Sequence, residues 1–547
     1  MKKLSIALLA AFAATINALA CTNLIVGKNA SADGSVMISY SADSYGMFGY
    51  LYHSPAATHE KGEMIDIYDW DSGTYHGQIA QVEQTYNVIG NMNEFQVSIG
   101  ETTFGGREEL VDKNGIIDYG SLIYIALQRS RTAREAIRVM TDLVQQYGYA
   151  SSGESFSIAD PNEAWIMEMI GKGTGNKGAV WVAVRIPDDC IAAHANQSRI
   201  HKFNMDDKEN VMYASDVISF AREKGYFSGV NKDFDFADTY NPLDFGGLRY
   251  CEARVWSFYN RYTDRGAELL PYILGTSSEP MPLYVKPNKK LSLQDVQNMM
   301  RDHYEGTALD ITQDVGAGAY HTPYRLSPLS FEVDGKQYFN ERPISTQQSA
   351  WVFVSQLRSN MVDPIGGVLW FGCDDANMTV YTPVYCCTDV VPACYQDGID
   401  GADDVTFSFN SAFWVMNWVA NMVYPRYDLM IDDVKAIQHD LESTFFQAQE
   451  AVEATAQALY QQDHAKAKAY LTNYSNMMAM NTIDVWKKLG EYLVVKYNDG
   501  VIKRMPTTNY IGKNTKQIER KLVRPGFPEE LKREIARQTG NRYAMPE

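Results

Sequence analysis

A cysteine at the start of a mature chain carries a nucleophile and a base on one residue. The first twenty residues are arranged to put Cys21 there. Lys2 and Lys3 form a positive start, residues 4–17 an apolar, Ala-rich stretch, and Ala18-Leu19-Ala20 offers small residues at the two positions a signal peptidase reads. Cleavage after Ala20 leaves Cys21 with a thiol and a free α-amine of ordinary pKa about 7.7–8.0. Roughly a tenth of such amines are unprotonated at neutral pH. That is enough for the amine to take the thiol proton and later return it to a leaving amine. Positive neighbours would raise the thiolate fraction further. The chemistry offered is acyl transfer through a thioester. The competing reading is a lipidated, anchoring cysteine, which position alone favours slightly. A lipobox prefers Leu three residues before the Cys, and here Leu19 stands two before and Ala18 three before.

Downstream stretches reverse that balance. They are CTNLIVGKNASADGSVMISYSADS (21–44), MNEFQVSIGETTFGGRE (92–108), FSIADPNEAWIMEM (156–169), HANQSRIHKF (194–203), CEARVW (251–256), HYEGTALDIT (303–312), YHTPYR (320–325) and GGVLWFGCDDANMTVYTPVY (366–385). Together they resemble peptidase family C69, dipeptidases among the N-terminal-nucleophile hydrolases and related to bile-salt hydrolases and penicillin V acylases. The resemblance covers most of residues 21–390. It implies that Cys21 is the nucleophile and that Asp43 holds the α-amine by a charge-assisted hydrogen bond. It implies that Asn196 donates its side-chain NH2 to the oxyanion. Arg254 would lower the thiol pKa and stabilise developing negative charge. A second oxyanion donor falls near Thr103, where bile-salt hydrolases place an Asn. A second departure is Tyr40, where they carry an Arg three residues before the Asp. Both departures favour the dipeptidase branch over bile-acid or penicillin substrates. A dipeptidase must also recognise a free substrate amine, and Glu101 is the expected acid, with Asp374 and Asp375 as alternatives.

Each residue also has an ordinary structural reading. Asp43 could cap a turn, Asn196 satisfy a buried backbone group, Arg254 form a structural ion pair, and Glu101 pair with Arg107. His321 is left unassigned. Three hypotheses stand: a cysteine dipeptidase, an acylase of the same superfamily acting on N-acyl amides, and a non-catalytic surface lipoprotein anchored through Cys21. No metal or organic cofactor is required for the first two, because the chain supplies nucleophile, base and oxyanion donors. The partners expected are small peptide substrates and a signal peptidase for maturation; oligomeric state is left open. An exported, periplasmic or secreted location follows from the leader.

Composition bounds the rest. Of 547 residues, 45% are hydrophobic and 12% aromatic, which fits a packed globular protein. A formal charge of −18 excludes a nucleic-acid partner, since phosphate binding needs a basic face. The apolar stretch of the leader is too short to cross a bilayer, and no later segment is apolar for long enough. The seven cysteines leave at least one thiol over in a monomer. Cys21 is the natural candidate, and a local disulfide among Cys373, Cys386, Cys387 and Cys394 is left open.

The elements that must hold these residues alternate in blocks: strands, helices, strands, helices, strands, helices. Strands are expected over 22–28, 35–40, 87–91 and 95–101, the last two joined by a Met92-Asn93-Glu94 link. Helices follow over 119–128 and from a capping box at Thr132 and Glu135. Strands return over 155–159, 164–170, 179–185 and 191–195, and again between 351 and 385. Helical patterns cover 214–224, 251–263, 292–304, 430–470 and 475–495. The glycines of 173–178 read as a hairpin turn, not a dinucleotide loop. This order lacks strand-helix alternation and predicts α+β packing with largely antiparallel sheets. The resemblance sharpens that to a four-layer αββα sandwich over residues 21–430, with a leader at 1–20 and a helical C-terminal region at 431–547.

Overall fold

The computed structural model describes residues 21–505 and 522–546. The leader, on which the export signal rests, lies outside the described residues. Two antiparallel sheets dominate an α+β fold. The first runs, edge to edge, through Tyr284–Val285, Ile191–His194, Asn23–Val26, Val36–Asp43, Ser349–Leu357, Val368–Cys373 and Thr382–Tyr385. The second runs through Val211–Tyr213, Ala179–Ile186, Ala164–Gly171, Gly153–Ala159 and Ser98–Gly105. It ends in three short strands, Met92–Asn93, Val88–Ile89 and His53–Ser54. The central strands are buried on both faces, and their side chains are mostly small or apolar, with Asp43, Glu154, Glu168 and Gln356 as buried polar exceptions.

The sheets meet face to face through polar contacts as well as apolar ones. His194 of the first sheet bonds Thr102 and Ser157 of the second, each at 2.7 Å. Ser98 and Ser355 pair at 2.6 Å. Gly100 leaves room for the Asn23 side chain: a Cβ there would lie 2.3 Å from Asn23 Oδ1. The helix pair Tyr119–Arg129 and Ala133–Tyr147 packs on the second sheet, burying Ile137, Met140 and Val144. Leu293–Met300 packs on Val36–Asp43 and Ser349–Leu357, and Ala253–Tyr262 packs on Ile191–His194. Further along the chain, Ala412–Val423, Tyr427–Gln462 and His464–Tyr497 form a helical region whose last member lies on Thr382–Tyr385.

Three sequence expectations shift. Met92-Asn93 is not a link but a strand of its own, paired with Val88–Ile89 across a tight turn. Gly90 makes that turn with φ of 52°, a backbone that side-chain-bearing residues rarely adopt. The break between the long helices falls at Asp463, whose carboxylate caps the second helix through the Ala465 N–H at 2.9 Å. The region 470–475 is continuous helix. The capping box at Thr132 is half formed: Thr132 accepts from Glu135 N–H at 3.2 Å, while the Glu135 carboxylate turns back to Arg131 N–H. The glycines of 173–178 form the turn between two antiparallel strands. All seven cysteines are free thiols.

Candidate active site

Cys21 sits at the entry to the strand Asn23–Val26, with Thr22 bridged to Ser41 of the neighbouring strand. It is 1% exposed. Its Sγ lies 3.5 Å from Glu101 Oε1 and 3.6 Å from the Tyr40 hydroxyl, and the Asp43 backbone N–H bonds the sulfur. Burial first, then the Glu101 and Asp43 carboxylates, pushes the thiol well above its ordinary pKa. In the full-length chain the Cys21 nitrogen is part of a peptide bond, so the α-amine does not exist until the bond after Ala20 is cut.

Asp43 ends the strand Val36–Asp43 and is fully buried. Its carboxylate accepts from Ser41 at 3.0 Å, from Ser349 at 2.5 Å and from the Arg342 guanidinium at 2.5 Å. Ser41 Oγ in turn accepts the Thr22 N–H at 3.2 Å, which ties this cluster to the residue after the cysteine.

Arg254 opens the helix Ala253–Tyr262 just after a π-helical turn at Gly247–Glu252, a local irregularity often found at functional sites. It is 1% exposed. Its guanidinium donates to the Cys21 carbonyl at 2.5 Å, Thr22 Oγ1 at 2.8 Å, Ala195 O at 3.0 Å and Asn196 Oδ1 at 2.8 Å. Nε goes to Tyr250 O at 2.7 Å. All these acceptors are oxygens, so Arg254 holds the Cys21 backbone rather than its sulfur. The side chains nearest the sulfur are acids and a phenol, where the sequence led us to expect positive neighbours.

Asn196 follows the strand Ile191–His194 in the left-handed region, φ 63°, a conformation Asn tolerates better than most residues. Its Oδ1 is held by Arg254 and its Nδ2 donates to Thr103 O at 2.8 Å. Thr103 therefore meets Asn196 through its carbonyl, and its hydroxyl donates to Glu154 at 2.8 Å. Glu101, 1% exposed, accepts the Tyr40 hydroxyl at 2.6 Å, and its backbone carbonyl accepts from Asn23 Nδ2 at 2.6 Å. Cys21, Asp43, Thr103, Asn196 and Arg254 thus form one connected network, and Glu101 joins it at the sulfur.

The other acids lie elsewhere. Arg107 bonds Thr239 O and stacks on Tyr226 instead of pairing with Glu101. Asp375 is held by Ser345, Tyr324 and Tyr424, and Asp374 is buried beside it. His321 pairs with Asp428 at a half-exposed position. A cavity of about 1110 Å³ is lined by Arg199, His201, Asp235, Asp238 and Glu252 but by none of the network residues. There His201, Asp235 and Asp238 offer ligand atoms within 4.8 Å of one another. Asp235 already caps Phe236–Tyr240 and accepts from His201 at 3.0 Å.

Sequence reasoning missed Arg342 and Glu154. Arg342 sits in an irregular segment with no motif around it. Glu154 did leave a signal: in Gly153–Ala159 it shares an alternating face with Phe156 and Ile158, so an acid stands where burial is expected.

The family model for Peptidase family C69 matches residues 20–54 and 47–440. The chain belongs to peptidase family C69. This C69 protein is therefore a hydrolase of peptide bonds. It is 28% identical over 399 residues to a Salmonella dublin protein named "Probable dipeptidase", covering 69% of this chain and 84% of that one. A Latilactobacillus sakei protein of the same name is 27% identical over 487 residues, 84% of this chain and 94% of its own length. Dipeptidase A of Lactobacillus helveticus is 24% identical over 424 residues, 74% and 81% of the two chains.

Proposed function

We propose that this C69 peptidase is an exported cysteine dipeptidase whose nucleophile is Cys21, active once the leader is removed. The observation that carries the reading is the placement of Cys21: its carbonyl is clamped by Arg254, which also holds Asn196, its sulfur faces Glu101, and the Asp43 backbone bonds the sulfur. The names of its relatives and the leader-like first twenty residues support it. The packing of helices outside two facing sheets supports a four-layer αββα reading, with the region from 431 onward as a helical addition.

On this reading, cleavage after Ala20 creates an α-ammonium next to the sulfur. It replaces the missing positive neighbour and offsets the acids that hold the thiol protonated. Asp43, fixed by Arg342, Ser349 and Ser41, orients that amine. The neutral amine takes the thiol proton, and the thiolate attacks the substrate carbonyl. Asn196, aimed by Arg254, receives the oxyanion, a contact whose loss typically lowers kcat by about 10²–10³. The Cys21 amine then protonates the departing amine, leaving an acyl-thioester that water hydrolyses.

Acids beside the sulfur suit a substrate with a free ammonium better than an N-acyl chain, which separates the dipeptidase from the acylase. A sulfur engaged in a buried pocket is also poorly placed to carry a lipid anchor. The test is Cys21→Ala in the exported enzyme, assayed on a dipeptide panel beside wild type with and without a thiol alkylator. Turnover is expected to vanish in both treatments while the circular dichroism spectrum holds. Retained turnover refutes the assignment.

A further inference from the structure

The strands Ser98–Gly105 and Gly153–Ala159 pair antiparallel with Thr103 opposite Glu154 and Glu101 opposite Phe156. Side chains alternate along a strand, so Glu101 and Glu154 are diagonal neighbours on one face. Each is 1% exposed. Each has one oxygen accounted for: Glu101 Oε1 takes the Tyr40 hydroxyl at 2.6 Å, and Glu154 Oε1 takes the Thr103 hydroxyl at 2.8 Å. The second oxygens, Glu101 Oε2 and Glu154 Oε2, are buried and receive no donor from the other described residues. The two carboxyls act on one another directly, the charge of Glu101 raising Glu154, so the pair favours keeping one proton. No Lys, Arg or His among the described residues forms an ion pair with either.

Two buried acids without a cation are costly to keep. Burial pushes both above the usual carboxylate range, and the Glu101 charge raises Glu154 further. Their position gives the reason. Glu101 Oε1 is 3.5 Å from Cys21 Sγ. In a peptide whose first carbonyl is attacked, the free α-nitrogen lies about 2.5 Å from the carbonyl carbon, as the standard bond lengths and angle require. With the sulfur about 3–3.5 Å from that carbon at attack, the nitrogen falls within a few ångströms of the sulfur, close enough to reach an acid that borders it. Of the charged groups of a dipeptide, only the amine of the residue being acylated reaches so close.

We propose that Glu154 and Glu101 together form the receptor for the substrate's free α-ammonium, the cation replacing the single proton the pair shares. This rests on Cys21 being the nucleophile. The balance is simple: the empty pair holds one proton and one negative charge. The loaded pair holds two negative charges against one ammonium, and one proton passes to solvent. The pair then restricts the enzyme to unblocked N-termini, cleaving after the first residue. Thr103 positions Glu154, and Tyr40 positions Glu101.

Glu154→Gln in the exported enzyme should raise KM for Ala-Leu by about 10–100-fold, the range expected for a charge-assisted contact, with kcat changed far less. Glu154→Asp should recover part of the loss. In wild type, KM for Ala-Leu should fall as pH rises through the pair's titration, and Glu154→Gln should flatten that slope. Calorimetry of Ala-Leu binding to Cys21→Ala, in buffers of different ionisation enthalpy, should show release of up to one proton and no comparable binding of N-acetyl-Ala-Leu. That measurement needs no change at Glu154 and stands if Glu154→Gln fails to fold. An unchanged KM and pH slope in folded Glu154→Gln, or binding without proton release, overturns the proposal. Labelling of Cys21 by iodoacetamide in Glu154→Gln keeps the two claims apart. If labelling abolishes residual turnover while KM is unmoved, the receptor fails and the nucleophile stands. If labelled enzyme still turns over, both fail.

Discussion

At the residue scale, buried titratable groups around the second sheet shift in opposite directions. His194 is held neutral between Thr102 and Ser157, its pKa pushed down to about 3 by burial and then by Arg199. An unfolded histidine titrates near about 6.5. Between those values the unfolded chain binds the extra proton, so His194 makes stability fall as pH drops from about 6.5 toward 3. Glu101 and Glu154 act the other way. Their folded pKa is raised, so the stability they lend is complete below the ordinary carboxylate range and is lost as pH rises through their titration. Denaturant melts of wild type and Glu154→Gln should therefore converge at low pH and separate toward neutrality, with the variant the more stable. Equal stability across that range would mean the two acids do not repel. That Cys21, Asp43, Asn196 and Arg254 lie together was legible because each lies in a compact motif whose order along the chain carries information. Arg342 and Glu154 were not, because their meaning depends on which strand lies beside which, and that is set by register across long separations in sequence.

At the element scale, the site is held by strand ends and one helix start. Cys21 enters one central strand, Asp43 leaves its neighbour, Asn196 follows a third, and Arg254 opens the helix packed behind them. Period-two runs and helical stripes made most of these elements legible. What they did not resolve was local: the Gly90 turn that makes Met92-Asn93 a strand, and the Asp463 cap that divides the long helices. Both depend on one residue's backbone chemistry, which a hydrophobic pattern does not record. Thr132 tests the helix pair beneath the second sheet. Its hydroxyl is the acceptor for the Glu135 N–H, so Thr132→Ala should cost about 1 kcal/mol in denaturant melts. No change would mean the reversed Glu135 contact to Arg131 suffices alone.

At the scale of the whole molecule, the C-terminal helices are locked to the rest of the fold by buried ion pairs. Arg358 meets Glu453 through two bonds of 2.6 and 2.9 Å, and Arg301 meets Glu442 at 2.5 and 3.2 Å. The four side chains are at most 8% exposed. Removing one partner strands a buried charge, so Glu453→Ala should lose about 3–5 kcal/mol of stability. A loss under 1 kcal/mol would show that water reaches Arg358. The order of strand and helix blocks made the α+β class legible, and the stripe from 430 onward made the helical region legible. These pairs were invisible beforehand, because Arg and Glu on a helix read as a solvated face until the surface they meet is known. No helix among the described residues is long and apolar enough to cross a membrane.

The central claim is that maturation frees sulfur and nitrogen together on Cys21. Mass analysis of the N-terminal peptide of the exported, active enzyme, before and after quenching with a dipeptide substrate, tests it directly. The account predicts a peptide beginning at Cys21 with an unmodified amine, gaining one aminoacyl mass on the sulfur under turnover. A chain beginning elsewhere, or an acylated Cys21 amine in enzyme that still turns over, would contradict it.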